Sequence, residues 1–178
     1  MTMSYNFHIY SPGEQPVLKE ELKAELERQG WPIAFCSGGG DIENIVSSEG
    51  LIENDAFIVT CEPDGVNIYR FRKAVESKDI KALNEMLNKE GIGGVDFCGI
   101  CWKPFDFNRD YGPEVLEANR KFYPAGFATA LQQARTEYSL EGSFGEFYLF
   151  VAQAIGGLVG GMFEDSLQGT IEFITARN

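Results

Sequence analysis

Between Glu146 and Glu164 the chain runs without a single charged residue, and any fold it adopts must take that stretch out of water. A bilayer span needs ~20 consecutive apolar residues. Residues 147–163 fall short of that and are interrupted by Gly156, Gly157, Gly160 and Gly161. The stretch reads as a buried core helix followed by a turn, with Ser143 as its cap. Phe147, Val151, Ala154 and Leu158 fall on one stripe of it. A chain of 178 residues has room for such a core. At this size roughly 70% of the unfolded surface can be buried, and neither a metal nor a disulfide is needed for stability.

Other segments supply what packs around that helix. Residues 5–10 alternate, with Phe7 and Ile9 separated by His8, and read as a first strand. A helix follows from Pro16, with Leu18, Leu22 and Leu26 on one face and Gly30 closing it. Residues 31–36 read as a second strand. Residues 56–61 and 66–71 flank Glu62-Pro63-Asp64-Gly65, which predicts a hairpin. A helix is expected over 79–90, with Ile80, Leu83 and Leu87 inward and Gly91 at its end, then a strand over 94–102. Residues 103–112 look irregular, and Pro113 suits the first position of a helix. Phe127, Leu131, Ala134 and Tyr138 have helical spacing, while 136–140 reads equally as extended; the pattern leaves both open over 127–140. Residues 162–164 and 170–174 form a last hairpin through a turn from Asp165 to Gly169. The order lacks regular β-α-β alternation. It predicts a single α+β domain over residues 1–178, a mainly antiparallel sheet with helices packed on one face.

Few residue patterns carry chemistry. Cys98 and Cys101 have C-x-x-C spacing, but their neighbours are strand-like and no helix signal follows. In a strand the two sulfurs would point to opposite faces. Zinc would need two further ligands, and Cys36, Cys61 and His8 have no paired spacing. Structural cysteines are the reading, with no metal and no cofactor. Ser37-Gly38-Gly39-Gly40-Asp41 follows a strand and precedes a possible helix over 42–48, yet lacks the Lys and Ser or Thr of a phosphate loop. A flexible loop is expected there. His8 is the only histidine and reads as an ordinary strand residue, so no catalytic residue is assigned.

The best site candidate is the loop from Trp102 to Gly112, which mixes aromatic rings with both signs of charge. Trp102, Phe105, Arg109, Asp110 and Tyr111 are the expected partner-binding residues, since Trp, Tyr and Arg dominate interface hot spots.

Fifteen Lys and Arg against 27 Asp and Glu leave a net charge of −12. That field repels nucleic acid and anionic membranes and attracts basic partners. The N-terminal residues lack the basic segment and apolar run of a signal peptide, so a cytoplasmic setting is expected. Ala154-Ile155-Gly156-Gly157 through Gly160-Gly161-Met162-Phe163-Glu164-Asp165-Ser166-Leu167-Gln168-Gly169 resembles a known ending. It is the helix, Gly-Gly, strand, Asp-x-x-x-Gly, strand layout of small bacterial toxin-immunity-like proteins of polymorphic toxin systems. The likeness spans about residues 143–174, and this chain has Asp165-Ser166 where the family shows Asp-Pro. The resemblance implies an acidic binding protein that occludes the active site or substrate surface of a cognate toxin, the partner being a basic toxin domain. The alternatives are a small enzyme using a cysteine, His8 or a carboxylate pair, and an acidic accessory subunit.

Overall fold

In a computed structural model of the chain, residues 5–38, 41–61, 65–87, 95–142, 147–165 and 168–177 are described. Ser143, Gly39, Gly40, Glu62, Pro63, Asp64, Gly91, Ser166 and Leu167, which carry the expected cap and several turns, lie outside them. The strands are β1 (Tyr5–Ser11), β2 (Ile33–Gly38), β3 (Ile42–Ile45), β4 (Ala56–Cys61), β5 (Val95–Pro104), β6 (Thr136–Gly142), β7 (Gly161–Asp165) and β8 (Thr170–Ile174). They form one eight-stranded sheet in the order β3-β2-β4-β5-β6-β1-β7-β8. Every neighbouring pair is antiparallel. The α+β class and the antiparallel sheet are as expected.

Two helices cover the first face. On α1 (Lys19–Arg28), Leu22 and Leu26 are fully buried, while Glu20 and Glu21 in the first turn and Arg28 in the last complement the helix dipole. On α7 (Phe147–Val159), Phe147, Val151, Ala152, Ala154 and Ile155 are buried, as the uncharged run requires. Both pack on Phe7, Ile9, Ile33, Phe35, Ile58, Ile100, Tyr138 and Leu140. Burying each such side chain stabilises by about 1.5–3 kcal/mol. After α7, Gly160 (φ +69°) and Gly161 (φ +114°) turn the chain back into the sheet. A Cβ on Gly161 would collide with the carbonyl of Tyr10, so β7 lies against β1 because glycine stands there.

The helices divide between both faces rather than sharing one. The second face carries α2 (Gly65–Glu76) and α3 (Ile80–Leu87), whose Phe71, Ala74, Leu83 and Met86 pack on Ala34, Cys36, Phe57, Val59 and Cys61. Strand side chains alternate, so the two apolar sets on β2 and β4 interleave residue by residue, and each set recruits its own helices. At the other end of that face, Tyr10 and Met162 gather Phe105, Phe127, Leu131 and Ala134. The elements there are α4 (Phe107–Asp110), α5 (Pro113–Asn119) and α6 (Phe127–Gln133).

Three local expectations are corrected. Residues 66–71 are the start of α2 and not a strand, so the first hairpin does not form. Val66, Ile68 and the polar residues between them imitate period two over a short window. Continued to Glu76, the pattern is helical, with Phe71 and Ala74 inward and Tyr69, Arg70 and Lys73 outward. The helix expected over 42–48 is the edge strand β3, which buries Ile42 against α3. Residues 103–112 are more ordered than expected: Lys103 and Pro104 finish β5, and Asp106 caps α4 by accepting from the Arg109 N–H at 2.9 Å. Over 127–140 both alternatives are realised in turn, α6 first and then β6.

Candidate functional site

The second face is not closed. Between the apolar patch under α2 and α3 and the one under α4–α6 lies a strip of strand residues open to solvent. Register builds it: Cys101 on β5 stands beside Ser139 on β6, Ser139 beside His8 on β1, and His8 beside Glu164 on β7. The row below runs from Lys103 to Glu137 and then passes under the α4–α6 patch at Tyr10 and Met162, which are buried. Neighbours in a row, and residues two apart on a strand, share a face and touch.

The strip is held by its own polar contacts. Ser139 Oγ lies 3.2 Å from His8 Nδ1, and Glu137 Oε1 approaches the same nitrogen at 3.4 Å. Glu137 Oε2 pairs with Lys103 Nζ at 3.1 Å. Burial works to raise the Glu137 pKa, but the contacts with His8 and Lys103 outweigh it and hold the carboxyl below its ordinary value. At the β5 end, Cys101 Sγ donates to Asp55 Oδ1 at 2.9 Å. That hydrogen bond, with burial second, pushes the thiol up to about 11. A shallow depression of about 260 Å³ opens there between Asn54, Asp55, Lys103, Glu137 and Ser139.

Chemically, the strip suits recognition better than bond-making. A nucleophile–histidine–carboxylate relay needs the two partners on opposite ring nitrogens. Here Ser139 and Glu137 share Nδ1, and Nε2 has no hydrogen-bond partner among the described residues. The C-x-x-C pair behaves as its strand setting predicts: Cys98 is buried on the first face, and Cys101 is exposed on the second. Burial pushes the Cys98 thiol up and the Cys36 thiol up to about 12, away from the reactive thiolate.

The five residues expected from sequence divide. Asp110 ends α4, and Tyr111 packs against Phe107 and Phe127 in the cluster at the Tyr10 end of this face. Arg109 is exposed and spends its guanidinium on Asp110 Oδ2 at 2.7 Å and on the Pro104 carbonyl at 3.0 Å. Its contact and the Asp106 N–H hold the Asp110 carboxyl well below the usual range. Phe105 is 5% exposed and packs edge-to-face on Tyr10, so it is a core residue and its place in the partner surface is withdrawn. Trp102 belongs to the other face. It is half-buried beside the α1–α7 core, with its indole N–H donating to the Ile52 carbonyl at 3.0 Å.

No family model matches the chain, and neither a curated protein nor a solved structure matches it.

Among the described residues, no group of three or more His, Cys, Asp or Glu side chains is placed to hold a metal ion, and no helix is long and apolar enough to cross a membrane. Reading the sequence missed Lys103, Glu137, Ser139 and Glu164 as members of one surface. Their signal was the alternation in 136–142, where Tyr138 and Leu140 face inward and Glu137, Ser139 and Glu141 face out. Alternation tells which face a residue takes, but not which distant strand lies beside it.

Proposed function

We propose that this chain is an acidic binding protein of the immunity type, acting in the cytoplasm, that neutralises a basic toxin domain by covering its active site or substrate surface. The observation that carries the reading is the open strip: a rigid sheet surface, framed by helices, with Glu137, Glu141 and Glu164 on it. The net charge of −12 favours the same kind of partner. A sheet floor loses little freedom on binding, and a carboxylate-bearing one mimics the anion that a nucleic-acid-handling groove is built to hold.

Capture from cells of the native source tests this. A stoichiometric complex is expected with a basic domain whose activity falls when this protein is added. Capture of a partner with an acidic surface, or of one whose activity is unaffected, removes the proposal. The enzyme reading keeps one observation in its favour, the His8 contacts with Ser139 and Glu137. Turnover of a small substrate by the protein alone, abolished in Ser139→Ala, would put that reading first.

A further inference from the structure

One corner of the strip holds a polar atom that folding alone does not explain. Tyr10 is only 9% exposed, yet its hydroxyl makes no hydrogen bond among the described residues. Buried hydroxyls without a partner are uncommon and costly, and each points to something that completes it. The ring is held by Phe105 at 5.3 Å within the cluster of Phe127, Leu131 and Met162, which fixes where the hydroxyl lies.

What surrounds that hydroxyl is of one chemical kind. Glu164 stands on β7 beside His8, half-buried, and its carboxylate has no hydrogen bond or ion pair among the described residues. Tyr111, which follows α4, and Tyr123 pack against the same apolar cluster as Tyr10. Both rings are anchored on Phe127, with centroids at 6.1 Å and 3.8 Å. Burial first, then the charges of Glu137 and Glu164, raise the Tyr10 hydroxyl above its ordinary value, and burial with Tyr123 and Glu164 does the same at Tyr111. The cation nearest in register, Lys103, is committed to Glu137. Acceptors and aromatic faces thus gather here, with the His8 imidazole, stacked 6.4 Å from Tyr10 and beside Glu164 in register, as the neighbouring ring donor.

A planar cation with several N–H donors answers all of these at once. A guanidinium can bond a carboxylate with two parallel donors, give another to a neighbouring hydroxyl and lie against an aromatic face. We propose that the corner formed by Tyr10, Tyr111, Tyr123 and Glu164 is the seat of an arginine side chain of the partner. This rests on the reading of the chain as a binding protein for a basic partner and names the residue that the partner inserts.

The test uses the whole chain and a small probe, acetyl-Gly-Arg-Gly-amide, titrated while the tyrosine ring and glutamate side-chain signals are followed by NMR. Saturable shifts at Tyr10, Tyr111, Tyr123 and Glu164 are expected, with an affinity on the order of millimolar for a single side chain. Tyr10→Phe and Glu164→Gln should each weaken it by about tenfold or more. Tyr10→Phe should melt no lower than the parent, because the lost hydroxyl has no partner among the described residues. The lysine analogue of the peptide should bind about tenfold more weakly, since an ammonium cannot make the planar double contact. No shift at these residues, equal binding of the lysine peptide, or full binding by both variants overturns the arginine seat. A captured basic partner indifferent to Glu164→Gln would sink this inference and leave the immunity reading standing. Peptide binding together with an acidic partner would do the reverse.

Discussion

The Cys101 thiol and the Asp55 carboxylate meet at 2.9 Å on the edge of the open strip, and the contact decides how that cysteine reacts. With its pKa pushed up to about 11, only about one thiol in a thousand is ionised at pH 8. Alkylation of Cys101 by iodoacetamide at pH 8 should therefore be far slower than that of an unperturbed thiol, and should keep rising with pH through about 11. Asp55→Asn removes the negative charge and should speed the reaction about tenfold or more. Asp55 has φ +60°, a conformation that asparagine also tolerates, so the backbone should be undisturbed. A Cys101 that labels like a free thiol in the parent protein would show the hydrogen bond to be unimportant. At this scale the sequence was informative about faces: alternation alone separates Cys98 from Cys101. It held no trace of Asp55 as a partner, because that contact exists only after β4 and β5 pair.

Elements were legible where their apolar period is long or their ends are marked. α1 and α7 follow from leucine spacing and an uncharged run, and α5 from Pro113. α2 was misread because a few residues of Val66, Ile68 and their polar neighbours satisfy either period, and what decides is the surface that Phe71 and Ala74 meet. The depth of α7 makes a direct prediction. Val151 is fully buried against the sheet, so Val151→Asp should abolish cooperative unfolding by circular dichroism; a soluble, cooperatively folded variant would mean that the face is not core. The loop between β3 and β4 makes a subtler one. It is stapled to α1 by the Lys19 N–H to the Gly50 carbonyl at 2.8 Å, by the Ile52 N–H to the Val17 carbonyl at 3.0 Å, and by Lys19 Nζ to Glu53 Oε1 at 2.6 Å. Lys19 is only 2% exposed, whereas Glu53 is 56% exposed. Removing the acid strands a buried ammonium, while removing the lysine removes the problem with it. Glu53→Ala should therefore lower the urea midpoint more than Lys19→Met does; the opposite ranking would show that the pair is a net source of stability. The same loop sets Asn54 against the Trp102 N–H at 2.9 Å, so loosening it should also disturb the rim of the strip.

At the scale of the whole molecule the charge is large but unevenly placed. Arg70, Arg72 and Lys73, which make no ion pair among the described residues, sit together on the outward side of α2, while Glu137, Glu141 and Glu164 line the strip. Helical groups on either side keep the strip's frame rigid, so binding a basic domain should need little rearrangement, and approach rather than reshaping should limit association. Association between opposite charges is steered over distances that salt screens, with a Debye length of about 10 Å at 0.1 M falling to roughly 3 Å at 1 M. The on-rate for the proposed basic partner should then fall at least about tenfold between about 50 and about 500 mM salt. The dissociation rate should change less, because desolvated contacts at the seat of the interface set residence time. Two sets of charge variants locate the effect. Neutralising Glu141 and Glu164 together should slow association, because it weakens the field where the partner lands. Neutralising Arg70, Arg72 and Lys73 should leave it unchanged or raise it, because it makes the molecule more acidic without touching the strip. Stopped-flow kinetics on the captured complex measures both. An on-rate indifferent to salt, or one that α2 controls and the strip does not, would place the interface away from the open face and remove charge as its guide.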